Sequence, residues 1–79
     1  MNKPYTIIQC SNYFEYMNFK DKLQLLQITS KSFDSTYTIK LQETGQSINL
    51  AYLKQYAPTA TITQVSFRNG RAIYIKLKD

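Results

Sequence analysis

Residues 61–78, TITQVSFRNGRAIYIKLK, place two β-type runs on either side of Asn69-Gly70, and no other stretch constrains the fold so tightly. Val, Ile, Phe, Tyr and Thr suit the pleated, half-buried surface of a strand, and Asn-Gly supplies the positive φ angles that tight hairpin turns demand. Two registers compete. A two-residue turn pairs Arg68 with Arg71, Ser66 with Ile73 and Val65 with Tyr74, which sets like charges opposite one another and scatters apolar side chains over both faces. A three-residue loop, Arg68-Asn69-Gly70 with Gly70 as the left-handed residue of a G1 bulge, pairs Phe67 with Arg71, Val65 with Ile73 and Thr63 with Ile75. In that register Phe67, Val65, Ile73, Ile75 and Leu77 share one face. Ser66, Gln64, Tyr74, Lys76 and Lys78 take the other, with Ile62 the one misfit. A slip of one residue sends every side chain to the wrong face, so the pattern predicts the bulged loop.

Upstream, YTIIQC at 5–10 is apolar and β-branched and reads as a first strand that Ser11-Asn12 terminates. Ser11 is placed to cap a helix in which Tyr13, Tyr16, Phe19, Leu23 and Leu26 recur at steps of three or four and form one face. LQLLQITS at 23–30 also supports a rival strand reading, with Leu26 and Ile28 on one side. Residues 30–35, SKSFDS, read as a loop. At 36–43, TYTIKLQE alternates strictly, Tyr37, Ile39 and Leu41 against Thr36, Thr38, Lys40 and Gln42, and predicts a strand that Gly45 ends. Ser47 then offers an N-cap for a second helix over 48–57, whose stripe holds Ile48, Ala51, Tyr52 and Gln55 and is widened by Leu50, Leu53 and Ala57. Pro58 stops it.

The element order β-α-β-α-β-β predicts a small single α+β domain over residues 1–79. It would hold an antiparallel sheet of three or four strands ending in a C-terminal β-hairpin, packed against one or two helices. A mostly β meander is the alternative. A chain of 79 residues hides only about 60% of its unfolded surface, so a second core does not fit.

Reactive side chains are scarce. The sequence has no His and one Cys, Cys10, which rules out an internal disulfide, zinc ligand sets held within one chain and His-dependent nucleophilic triads. Its five carboxylates are dispersed, and its two glycines lie too far apart for a phosphate-cradling loop. A non-enzymatic protein without cofactor or metal is the expectation. Cys10 reads as a small buried hydrophobe. With neither a leader-like segment nor about 18 consecutive apolar residues, the chain is expected to be cytoplasmic and to have no membrane partner.

Net charge is +5, and it is uneven. Residues 1–44 carry five lysines against four carboxylates, whereas 45–79 carry Lys54, Arg68, Arg71, Lys76 and Lys78 against Asp79 alone, giving +1 and +4. Cations attract phosphates at long range, and an exposed Tyr stacks on unpaired bases. A candidate contact surface for nucleic acid or a nucleoprotein complex is therefore Arg68, Asn69, Arg71, Tyr74, Lys76, Lys78 and Gln64 on the hairpin, although Lys and Arg also simply solvate exposed strands. The second reading is a stoichiometric inhibitor or adaptor that binds a larger protein. Seven tyrosines support it, with Tyr13 and Tyr16 on the first helix and Tyr52 and Tyr56 on the second, because Tyr is enriched at interface hot spots. Both readings fit a small regulator of the kind that bacteria, plasmids and phages encode, including an anti-defence protein. Pairing of edge strands would make a homodimer in either case.

Overall fold

The structure is a computed structural model in which residues 3–42 and 49–76 are described. Seven elements follow one another: β1 (Tyr5–Gln9), α1 (Tyr13–Leu25), β2 (Ser30–Phe33), β3 (Thr38–Gln42), α2 (Leu50–Lys54), β4 (Thr61–Arg68) and β5 (Arg71–Lys76). The five strands make one sheet in the order β2-β3-β1-β4-β5, with every neighbouring pair antiparallel. The connections β1-α1-β2 and β3-α2-β4 each skip over a strand of the other unit. Two split β-α-β units thus interleave, and β5 folds back from β4 to form a new edge. The expected α+β class with a C-terminal hairpin is present, with one strand more than the sequence announced.

That strand is β2, and it corrects the loop reading of residues 30–35. SKSF has no apolar alternation because β2 is an edge strand, half-buried at Ser30 and exposed over its other three residues. Its backbone pairing to β3 forms it, rather than burial of side chains.

Helix α1 follows the predicted period, and Tyr16, Phe19 and Leu23 are buried from it. Its N-cap is Asn12 rather than Ser11. The Asn12 carboxamide oxygen accepts from the Glu15 N–H at 2.9 Å, while Asn12 Nδ2 donates to Glu15 Oε2 at 2.9 Å, a reciprocal pair close to a capping box. The Ser11 hydroxyl instead donates to the Thr59 carbonyl at 3.0 Å. At the other end Gln27 N–H reaches the Gln24 carbonyl (3.1 Å) and Ile28 N–H the Leu23 carbonyl (2.9 Å), the paired bonds of a Schellman cap. The rival strand at 23–30 is thereby excluded, since the helix runs to Leu25 and β2 starts only at Ser30.

Helix α2 is shorter than expected and is capped by Asn49, whose side chain accepts from the Tyr52 N–H at 3.0 Å. Ser47 and Ile48 lie outside the described residues, as do Glu43 and Gly45. Five residues cannot hold a helix by propensity. Leu53 and, just beyond the helix, Ala57 anchor the segment in the core. Lys22 of α1 adds a lateral tie, its ammonium 5.6 Å from the Tyr52 ring centroid and 5.3 Å from that of Tyr56.

The core lies between the helices and one face of the sheet. Ile8, Ile39, Leu41 and Ile62 from the strands pack with Tyr16, Phe19, Leu23 and Leu53. Both helices are on this side, so among the described residues no helix covers the opposite face of the sheet.

The hairpin register corrects the sequence reading. Arg68 is opposite Arg71, Phe67 opposite Ala72, Ser66 opposite Ile73, Val65 opposite Tyr74 and Gln64 opposite Ile75. Asn69 and Gly70 have φ of +53° and +75°, the two left-handed residues of a type I′ turn. The expected bulge is absent because β5 is exposed at all six positions and has no apolar face to bury. With register unconstrained by burial, turn chemistry decides it.

Candidate nucleic-acid interface on the open sheet face

Antiparallel partners share a face, so the registers fix which side chains stand together. At one level on the uncovered face lie Lys31, Lys40, Ile7, Thr63 and Lys76, one from each strand in spatial order. One step along the strands lie Gln42, Tyr5, Val65 and Tyr74, from β3, β1, β4 and β5. Phe67 stands beyond Val65 on β4, and Phe33 occupies the far corner on β2. A row containing three lysines thus runs across all five strands beside a row containing two tyrosines. Neighbouring residues on one face of a strand are about 6.7 Å apart, so the rows are within a side chain's reach of each other.

Local contacts confirm the arrangement. Lys40 Nζ is 4.4 Å from the Tyr5 ring centroid, a cation–π contact bridging the two rows. The Tyr5 and Phe67 rings are 6.1 Å apart and tilted by 46°. Val65 is only 1% exposed although no helix covers it, as its cross-strand neighbours Tyr5 and Tyr74 flank it. Tyr74 itself is 66% exposed.

The two sides differ in charge. No described strand residue on the open face is acidic, and Lys31 and Lys40 are direct cross-strand partners. Like charges placed opposite each other oppose sheet pairing, a penalty that a bound anion removes. The described carboxylates all belong to the helical side. The Glu15 carboxylate takes the Thr59 N–H at 2.9 Å and the Thr59 hydroxyl, and these bonds, the backbone one first, hold its pKa below the usual value. Asp34 accepts from the buried Tyr16 hydroxyl and is 4.0 Å from Lys20 Nζ. Asp21 is exposed on α1. Lys20, Lys22 and Lys54 match these three acids, and Arg68 and Arg71, which share a face with Ser66 and Ile73, add cations on the helix side of the hairpin tip; what sets the open face apart is that its charges are all lysines, with no described carboxylate among them.

The hairpin site expected from the sequence is therefore divided. Tyr74 and Lys76 stand on the open face; Gln64 is on the opposite, helix-covered side, level with Ile75. The single outward face joining Gln64 and Ser66 to Tyr74 and Lys76 does not exist, because it depended on the bulged register. Arg68 and Arg71 oppose each other at the tip and flank Asn69, beyond the part of β4 that pairs with β1. Lys78 lies outside the described residues. Tyr5, Lys31, Phe33 and Phe67 join the surface without having been singled out. Alternation had put Lys40 on a polar face, but only the sheet order brings that face beside Tyr74.

Other polar features are structural. Cys10 is buried, and burial, with the Glu15 charge adding to it, pushes its thiol up to about 11. Tyr13, Tyr16 and Tyr37 form a ring cluster with centroids 5.9–6.4 Å apart. Among the described residues no three His, Cys, Asp or Glu side chains converge on a common point, and no helix is long and apolar enough to cross a membrane. No protein-family model matches this chain, and neither a curated protein nor a solved structure matches it.

Proposed function

We propose that this chain is a non-enzymatic regulatory protein that binds nucleic acid, free or within a nucleoprotein complex, through the uncovered face of its sheet. The observation that carries the reading is the segregation of carboxylates: Lys31, Lys40 and Lys76 stand with Tyr5, Phe67 and Tyr74 on a face without described carboxylates, while Glu15, Asp21 and Asp34 all belong to the helical side. The cations attract phosphates, and the rings offer bases a surface. Arg68 and Arg71 add two cations at the hairpin tip, on the other face of β4 and β5 and beyond the end of β1.

Salt titration with two charge-matched variants tests this. Three phosphate contacts give a slope of log affinity on log salt of about −2 for a single strand and about −3 for a duplex. Replacing Lys31, Lys40 and Lys76 by Gln is expected to flatten the slope and abolish most of the affinity, whereas replacing Lys20, Lys22 and Lys54 by Gln removes the same charge with little effect. Equal losses from both triple variants, or no binding at low salt, would rule the reading out.

A protein partner is the second reading, and one observation favours it. Phe14 and Leu25, eleven residues apart and so in line on α1, are 79% and 78% exposed. A nuclease-resistant complex recovered by pull-down and lost on converting both residues to Ser would select it.

A further inference from the structure

The two rows of the open face differ in chemistry, and their order across the sheet is what a polynucleotide would meet. Lysines occupy the outer two positions on the β2 side and the last position on the β5 side of one row, with Ile7 and Thr63 between them. Tyr5 and Tyr74 stand in the next row, with Phe67 beside Tyr5. We infer that the ligand of this face is a single-stranded polynucleotide lying across the strands, its phosphates on the Lys31–Lys40–Lys76 row and its bases on Tyr74 and the Tyr5–Phe67 pair. The inference rests on the nucleic-acid reading above and adds to it the strandedness and the path.

Size separates single strand from duplex. Five strands spaced about 4.8 Å apart span roughly 19 Å from β2 to β5. The major groove of B-DNA is only about 12 Å wide, so this face cannot enter it. A duplex would also leave the aromatic row idle, since paired bases expose edges rather than ring faces. Unpaired bases expose those faces and stack on aromatic side chains, as they do on other sheet platforms that take two or three bases. Tyr74 is the most accessible ring of this face, at 66% exposure. Tyr5 is already covered on one side by Lys40, whose ammonium can swing from the ring to a phosphate.

Among the described residues, the hairpin tip, residues 66–73, projects past β1 as a two-stranded ribbon narrow enough for a groove. It is the competing contact, and it uses Arg68 and Arg71 in place of Tyr74.

Fluorescence anisotropy of the full chain in low salt decides between them, using labelled 12-nucleotide DNA and RNA strands of mixed sequence and the DNA duplex of the same length. The single strands are expected to bind at least tenfold more tightly than the duplex. Tyr74→Ala should weaken single-strand binding by about tenfold while leaving the circular dichroism spectrum and the residual duplex affinity unchanged. The DNA and RNA arms show which sugar is preferred, and either preference fits. Equal or tighter duplex binding, lost on Arg68→Ala/Arg71→Ala and indifferent to Tyr74→Ala, overturns the single-strand inference but keeps nucleic acid as the ligand. Absence of binding to all three probes overturns both.

Discussion

Gln27 shows how one residue can hide an element boundary. It sits at the C′ position of a full Schellman cap with φ +58°, a place usually held by Gly. Without that Gly the sequence offers no stop signal, which is why 23–30 also read as a strand. A side chain in the left-handed region costs about 1–2 kcal/mol, and Gly there gives part of it back through greater freedom in the unfolded chain. Gln27→Gly is therefore expected to stabilise the protein by roughly 0.5–1 kcal/mol in urea denaturation. A loss of stability would show that the Gln27 side chain makes a contact worth more than the strain. Gly70 is the reverse case. At φ +75°, with nothing within 4 Å of an added Cβ, Gly70→Ala should cost about 1 kcal/mol through backbone alone and leave the register unchanged.

Glu15 links pH to stability at the same scale. Its folded-state pKa is lowered, chiefly by the Thr59 N–H, so its contribution is complete above the ordinary glutamate value near 4.3. That contribution disappears as pH falls through the lower folded-state value. Glu15→Gln should cost about 1 kcal/mol at pH 7, a drop of several degrees in thermal midpoint for a domain of this size. The gap between variant and parent should narrow as pH falls below the ordinary glutamate value. A gap of the same size at every pH down to acid unfolding would mean that the ionised carboxylate is not what ties α1 to the turn before β4.

At the level of elements, what was legible in the sequence tracks what is buried. β1, α1 and β3 each carry their buried residues at the period of their structure, and each was readable. β2 and β5 are the sheet's two edges, largely or wholly exposed, and both misled: one read as a loop, the other was given a bulge. Burial writes alternation into a sequence, and an edge strand escapes that requirement. The Asn-Gly dipeptide carried the register that the alternation did not, at the cost of setting Arg68 against Arg71. Helix α2 depends on tertiary anchoring, and Leu53 is its one buried helical residue. Leu53→Ala should destabilise by about 2–5 kcal/mol and, in native-state hydrogen exchange, lower protection of the backbone amides at positions 53 and 56 before that of β1. Uniform loss across the sheet would mean that α2 unfolds only with the whole domain.

For the whole molecule, the fold sorts by side what the sequence sorts only by position. The C-terminal half carries most of the net charge, yet the cationic face draws Lys31 and Lys40 from the nearly neutral first half. Interleaving the two β-α-β units puts both helices on one side and so leaves the other face of the five strands without a described helix. The part of the site visible in the sequence was Tyr74 and Lys76. The remainder needed the strand order, because Tyr5, Lys40 and Tyr74 are brought together by strands distant along the chain.

The most direct measurement is an amide chemical-shift titration of the folded protein with a short single-stranded oligonucleotide in low salt. Shifts are expected to concentrate on β1, β3, β4 and β5 around Tyr5, Lys40, Phe67, Tyr74 and Lys76, with α1 and α2 unmoved. Shifts centred on Phe14 and Leu25, or none at all, would contradict a nucleic-acid site on the open face.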